Sequence, residues 1–299
     1  MKNTHLQHPE DTILTGDLSV FDWFLADSDL SVKIDGAPAI VWGTDPATGT
    51  FFVGTKAVFN KVKLRIAHSH DEIDQHYEGE VAKILHTCFD YLPHTDAIIQ
   101  GDFIGFGGSN VYRPNEVTYK FDEAVNYLKV IIAPHTEYYA EKDLRDAEAY
   151  PLTFDLDDTE DVVFLRPAAW QLAEDFEPIV SFARQMSTMC EFMTPKQSAR
   201  VQKQLNQCIR NGIDIDDLTQ DAIAFDNDID VNVLRLWKLV KSIKDDMLYI
   251  CHNDGPRAYI NGELCDGEGY VRVNDYGMMK LVNREVFSHA NFNSVKSWA

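Results

Sequence analysis

The sequence predicts an α+β fold with a helical insertion. Three observations lead there. Short apolar or alternating runs, separated by turn residues, fill residues 31–55 and 96–139. Helix-period segments dominate from about residue 145 to 250, and strand-like runs return after 255. Strands and helices that are segregated along the chain, rather than strictly alternating, point to α+β and away from a parallel α/β sheet. The last strands are expected to complete the first sheet. That places one domain at 1–144 plus 255–299 and a helical insertion at 145–254.

The elements follow in order. Leu14, Leu18, Phe21, Trp23 and Phe24 predict one short amphipathic helix. "SVKIDG", "PAIVWG" and "TFFVGT" read as strands, and "TDPATGT" (Thr44–Thr50) reads as a hairpin, with Pro early and Gly late. Ile73, Tyr77, Val81, Ile84, Leu85 and Cys88 predict a helix over 71–92. Residues 96–107, 115–121 and 126–139 predict strands. "TFDLDDTEDVV" (153–163) reads as a solvated acidic linker. Residues 167–193 and 195–212 are helix-like. A third helix over 231–254 carries Val233, Leu234, Trp237, Leu239, Val240 and Ile243 as its apolar stripe, with Gly212 and Gly255 as helix stops. "RAYINGEL", "EGYVRVN" and "GMMKLVNR" are the closing strands.

Composition narrows the classes. Of 299 residues 45% are hydrophobic and 25% charged, which suits a globular chain with a sizeable core. Forty-eight acidic residues against 27 basic ones leave a net charge of −21. That balance argues against nonspecific binding of polyanions, though a local basic cleft is compatible with it. The five cysteines are scattered with no Cys-x-x-Cys pair, which predicts reduced thiols rather than disulfides or a cysteine zinc site. No apolar run approaches membrane-spanning length and no apolar leader opens the chain, so the expected location is cytoplasmic, without membrane contact.

The chemistry gathers around Lys33. It stands in a strand-like run and is followed by Ile34, Asp35 and Gly36. A lysine amine becomes nucleophilic where burial or a nearby cation disfavours its charge. Gly36 would allow close backbone approach to a ligand. Farther on come "GDF" at Gly101–Phe103, then Glu268-Gly269-Tyr270-Val271, then Lys280-Leu281. A Glu at the mouth of a strand is a hard ligand for a divalent cation, and a lysine on the next strand can meet phosphate charge.

That ordered set resembles the covalent nucleotidyltransferases: ATP-dependent DNA and RNA ligases and messenger-RNA capping enzymes. Lys-x-Asp-Gly is similar to their motif I, Gly-Asp-Phe to their Gly-Glu-Leu-like motif III, Glu-Gly-Tyr-Val to motif IV, and the Lys280 strand to motif V. The resemblance covers about 31–140 and 255–287 and leaves out 145–250. It implies an antiparallel-sheet nucleotidyltransferase (adenylation) domain, ATP-grasp-like, using ATP and Mg2+ or Mn2+. By that resemblance Lys33 carries the lysyl-N-AMP, with Asp35 and Gly36 in the other motif I places. Lys56 stands where the family has a nucleotide-contacting arginine. Asp102 would face the ribose, Glu268 the metal, and Lys280 the α-phosphate. Arg284 would substitute for a second motif V lysine, whose place Val282 holds.

Phe121, Tyr119 and Tyr127 are the candidates for stacking on the adenine. His135 reads as a surface or hydrogen-bonding residue, the "HSHDEIDQH" tract (68–76) as a solvated loop or helix cap, and "GFGGSN" (105–110) as a flexible loop. "HPED" and "FFVGTKAVFNK" are also similar to uncharacterised phage proteins, which implies a viral source and a host cytoplasm.

Twelve residues follow Phe287, too few for the oligonucleotide-binding barrel that follows motif V in DNA ligases and capping enzymes. Phage-type RNA ligases lack that barrel. The expected activity is therefore an ATP-dependent polynucleotide ligase, with RNA ends favoured slightly over DNA ends. "KQSARVQKQ" and "RLWKLVKSIK" would line a basic cleft, and the insertion would contact substrate or a protein partner. The competing expectations are a GTP-using capping-type guanylyltransferase and a catalytically degenerate binding protein of the same fold.

Overall fold

The computed structural model describes residues 6–127, 129–265 and 267–287. Residues 1–5 and 288–299, assigned above to the first domain, lie outside the described residues. The architecture is α+β with antiparallel sheets. The chain forms two compact units. One holds Ile34–Arg166 and Gly255–Tyr259; the other holds the chain from Leu6 to Lys33, Pro167–Asp254, and the C-terminal segment from Ile260.

The first unit is built on one large sheet. Its strands run in the order Phe51–Gly54, Ala39–Thr44, Ile98–Phe106, Val130–Tyr139 and Glu148–Pro151, each antiparallel to its neighbour. Val162–Phe164 joins Val130–Tyr139 in parallel. Side chains alternate across the sheet, so Ile40 and Trp42 enter one core while Val41 enters another. The same alternation sends Val53 one way and Phe52 the other. Burial on both faces explains why these strands read as nearly continuous apolar runs. The Thr44–Thr50 hairpin forms as expected: the Asp45 carboxylate accepts the Ala47 N–H at 2.9 Å, and the Asp45 N–H reaches the Thr50 carbonyl at 2.9 Å.

The helix expected over 71–92 is two helices, His70–His76 and Gly79–Tyr91. Ser69 caps the first by accepting the Glu72 N–H at 3.3 Å. Tyr77 then turns extended and buries its ring, donating its hydroxyl to the Arg65 carbonyl at 2.8 Å. Tyr77 and Glu78 are both extended and Gly79 has φ +62°, which separates the two helices.

The second unit is mostly helical. Glu177–Ser187, Pro195–Arg210, Asp217–Asn227 and Val231–Tyr249 pack with Pro9–Thr12 and Ser19–Leu25. The expected N-terminal helix is split: the chain turns at Gly16, φ +81°, and Ser19–Leu25 begins anew, with the Ser19 N–H donating to the Asp17 carboxylate at 3.1 Å. The stripe of the long helix is bifacial. Leu236, Val240 and Ile243 meet Phe21 and Trp23, while Val233, Leu234 and Trp237 meet Val201 and Leu205. Against this helical layer lies a three-stranded antiparallel sheet in the order Asp29–Val32, Tyr270–Asn274, Gly277–Leu281.

Several expected boundaries change. The helical block is not an insertion bounded at 145 and 254. Residues 148–151 and 162–164 are strands of the large sheet, and the helices share their core with Phe21, Trp23, Tyr270 and Leu281. Apolar burial, not chain continuity, sets the division. The helix-like 167–193 segment begins with the strand Ala169–Gln171, and only Glu177–Ser187 is an α-helix. Gly255 is not a helix stop, since the long helix ends at Tyr249 and Cys251–Asn253 pairs with Ala169–Gln171.

Candidate active site

Lys33 ends the first segment of the second unit, directly after the strand Asp29–Val32. Its N–H donates to the Gly269 carbonyl at 2.8 Å, carrying the pairing with Tyr270–Asn274 one bond further. Leu30, Val32, Tyr270 and Leu281 face the helical core. The period of two therefore puts Ser31, Lys33, Val271 and Lys280 on the opposite face. The Lys33 ammonium forms an ion pair with the Glu268 carboxylate. Gly269 adopts φ +120°, and a Cβ there would lie 2.1 Å from the Leu281 carbonyl oxygen. Only glycine permits that approach, and it places Glu268 at the strand mouth.

Lys280 sits opposite Val271 and is held by its N–H to the Gln7 carbonyl at 3.1 Å. Its pKa is lowered, first by burial and then by the charge of Lys33; Glu268 opposes this in part. Three expected residues are thus gathered in one unit: an ion-paired lysine, its carboxylate, and a second lysine whose charged form is disfavoured.

Asp35, Gly36, Lys56 and Asp102 belong to the other unit. The Asp35 N–H donates to the Tyr119 hydroxyl oxygen at 2.7 Å, and its carboxylate accepts from Asn115 at 3.2 Å. Gly36 has a local structural explanation: a Cβ would lie 2.7 Å from the Phe103 carbonyl oxygen and 2.9 Å from the Asp102 Cβ. Its tightest neighbour is the strand Ile98–Phe106, so no phosphate is needed to account for the glycine. Asp102 lies on that strand with His135 Nε2 at 3.7 Å. His135 also meets Gln100 at 3.2 Å, which agrees with a hydrogen-bonding part for it. Lys56 is exposed at the start of a 3-10 turn capped by Thr55. Of the aromatic candidates, Tyr119 is buried with its hydroxyl engaged, Tyr127 is exposed, and Phe121 packs edge-on against Tyr112.

Arg284 is corrected from phosphate ligand to structural cation. It is 2% exposed, and its guanidinium donates to Glu10 at 2.9 Å, Asp11 at 3.0 Å and Asn206 at 2.6 Å. Lys244 is also buried, 3.3 Å from Glu10, and donates to the Val282 carbonyl at 3.0 Å. Burial pushes the Glu10 carboxyl up, but Lys244 and Arg284 outweigh it and hold its pKa well below the usual carboxylate range. The expected basic cleft loses members for the same reason. Lys241 is bound by Asp245 at 2.6 Å and Glu285 at 2.9 Å, and Arg235 faces Asp221 at 3.8 Å. Lys196, Arg200, Lys203 and Lys238 remain exposed.

Sequence reasoning passed over Asn115 and the Glu10 cluster, and it offered Tyr119 only as an adenine-stacking candidate. Asn115 and Tyr119 reach Asp35 across 80 and 84 residues, a separation that no local pattern encodes. "HPED" was visible as a motif, but its partner Arg284 lies 274 residues from Glu10. The helical unit also has an open groove of about 700 Å³, with Asp27, Asp29, Glu174, Asp175 and the exposed Trp170 among its walls. No helix among the described residues is long and apolar enough to cross a membrane.

Comparison with known proteins adds one finding. A family model described as a family of unknown function (DUF6267) matches residues 3–233 and 219–296. No curated protein and no solved structure matches the chain.

Proposed function

The chain belongs to DUF6267, a family without a known function, and from that premise we propose that it is an ATP-dependent polynucleotide ligase acting through Lys33. The carrying observation is the Lys33–Glu268 ion pair with Lys280 on the adjoining strand. In this reading the fold is a nucleotidyltransferase adenylation domain. The Lys33 ammonium, paired with Glu268, first gives a proton to solvent, and the amine so formed attacks the α-phosphorus of ATP in line. The N–P bond forms as the P–O bond to the β-phosphate breaks. Pyrophosphate leaves with the electron pair, and the attacking nitrogen gives a second proton to solvent, which leaves a phosphoramidate. Positioning and charge stabilisation dominate such a displacement.

Lys280 would meet the α-phosphate; its pKa is lowered first by burial and then by the charge of Lys33. No group of three or more His, Cys, Asp or Glu suited to a metal occurs among the described residues. Mg2+ commonly binds one or two carboxylates together with substrate phosphates. Glu268 would hold Mg2+ or Mn2+, and the ion would neutralise phosphate charge. The nucleic-acid end, RNA favoured over DNA, would meet Lys196, Arg200 and Lys203 rather than the engaged lysines of the long helix.

The test is covalent labelling. Purified protein is mixed with ATP labelled on the α-phosphate and with Mg2+ or Mn2+, then denatured. The wild type retains label and Lys33→Ala does not. Labelling by GTP alone indicates a capping-type guanylyltransferase. A second reading, an inert binding protein of the same fold, is favoured by the structural explanations for Gly36 and Arg284 and by the acidic groove, which suits a basic partner segment. It predicts no label with any nucleotide.

A further inference from the structure

We propose that His70 and His86 form a binding site for a divalent transition-metal ion of the Zn2+, Co2+ or Ni2+ class. This site lies in the sheet unit and takes no part in the Lys33 chemistry. His70 opens the helix His70–His76, and His86 lies on Gly79–Tyr91. Each helix carries the same His-x-x-x-Asp spacing, His70 with Asp74 and His86 with Asp90. The bonds cross between the helices: His70 Nε2 lies 3.0 Å from Asp90, and His86 Nε2 lies 2.9 Å from Asp74.

That crossing decides the tautomers. An ionised carboxylate only accepts, so each Nε2 carries the hydrogen and, in the neutral ring, each Nδ1 presents a lone pair. The two Nδ1 atoms face each other at 2.7 Å. Two lone pairs at that distance repel unless a cation lies between them. A carboxylate on the far nitrogen of each imidazole is also the usual support of a metal-bound histidine. Imidazole nitrogen suits zinc-like ions. Tetrahedral bonds of about 2.0–2.1 Å need the two nitrogens about 3.3 Å apart, so the rings must separate by about 0.6 Å.

Both side chains have room for that adjustment, being 49% and 31% exposed. The ion has two protein ligands, His70 and His86. Solvent completes its shell and leaves the site open to an outside ligand. It also straps together the two helices that the Tyr77 break separates.

The test uses the full chain stripped of metal. Zn2+ is titrated by calorimetry, Co2+ by its visible absorption, and the thermal midpoint is read with and without Zn2+. One equivalent is expected to bind and to raise the midpoint. His70→Ala and His86→Ala lose saturable binding while circular dichroism shows them folded. Asp74→Asn and Asp90→Asn weaken binding roughly ten- to hundredfold. His76→Ala, on the first helix, binds as the wild type does. Equal binding by wild type and His86→Ala, or no saturable binding by the wild type, overturns the proposal; a pair that only shares a proton gives the second result.

Discussion

Glu10 and Arg284 meet inside the helical unit, with a guanidinium nitrogen 2.9 Å from the carboxylate and both side chains almost wholly buried. Lys244 reaches the same carboxylate oxygen at 3.3 Å. Glu10 is therefore shared by two buried cations, with Asp11 assisting at Arg284 and Asp245 meeting Lys244 at 3.2 Å. Glu10→Gln leaves those cations undercompensated. The expected cost is about 3–5 kcal/mol, measured by urea unfolding.

His8 adjoins this cluster and makes stability pH-dependent. Burial, only partly offset by Glu10, pushes its pKa down to about 2. The unfolded chain takes up a proton near the ordinary histidine value of about 6.5, while the folded chain resists it. The stability from neutral His8 is thus present above about pH 6.5 and is lost as pH falls below it. Glu10, also depressed, adds a loss beginning near the ordinary carboxylate range, and Asp11, whose pKa is raised by burial, opposes it. Thermal midpoints should fall between pH 6.5 and 5, and His8→Phe should flatten that interval.

Gly36→Ala should destabilise the protein in the absence of any nucleotide. Its Cβ would press on the Phe103 carbonyl and the Asp102 side chain. Overpacking of that kind costs about 1–3 kcal/mol. Thermal melting without ligand checks it; an unchanged midpoint would return Gly36 to a ligand-binding explanation.

Tyr119→Phe removes the acceptor of the Asp35 N–H. The hydroxyl is lost from a buried site, so about 1–3 kcal/mol is expected. Chemical denaturation measures the cost, and amide exchange at Asp35 should accelerate.

Glu268→Gln breaks the carboxylate side of the Lys33 pair while the nearby Lys280 charge remains. Covalent labelling from ATP should fall roughly a hundredfold, as when one charge-stabilising group is removed from an active site, with the thermal midpoint little changed.

The sequence by itself determined the local elements and the order of the chemical residues. Short apolar runs through Ile40, Trp42 and Val53 became strands, and the stripe through Val233, Leu234 and Trp237 became a helix, because strand and helix geometry repeat within a few residues. Lys33, Glu268 and Lys280 were legible as types of residue in a given order. Tertiary structure decided their company. It put Arg284 against Glu10, Asp35 against Asn115 and Tyr119, and His70 against His86. It also assigned 148–151 and 162–164 to the large sheet and split the 71–92 helix at Tyr77. The physical reason is distance along the chain. Backbone periodicity is a short-range property, whereas burial and ion pairing depend on residues that only folding brings together.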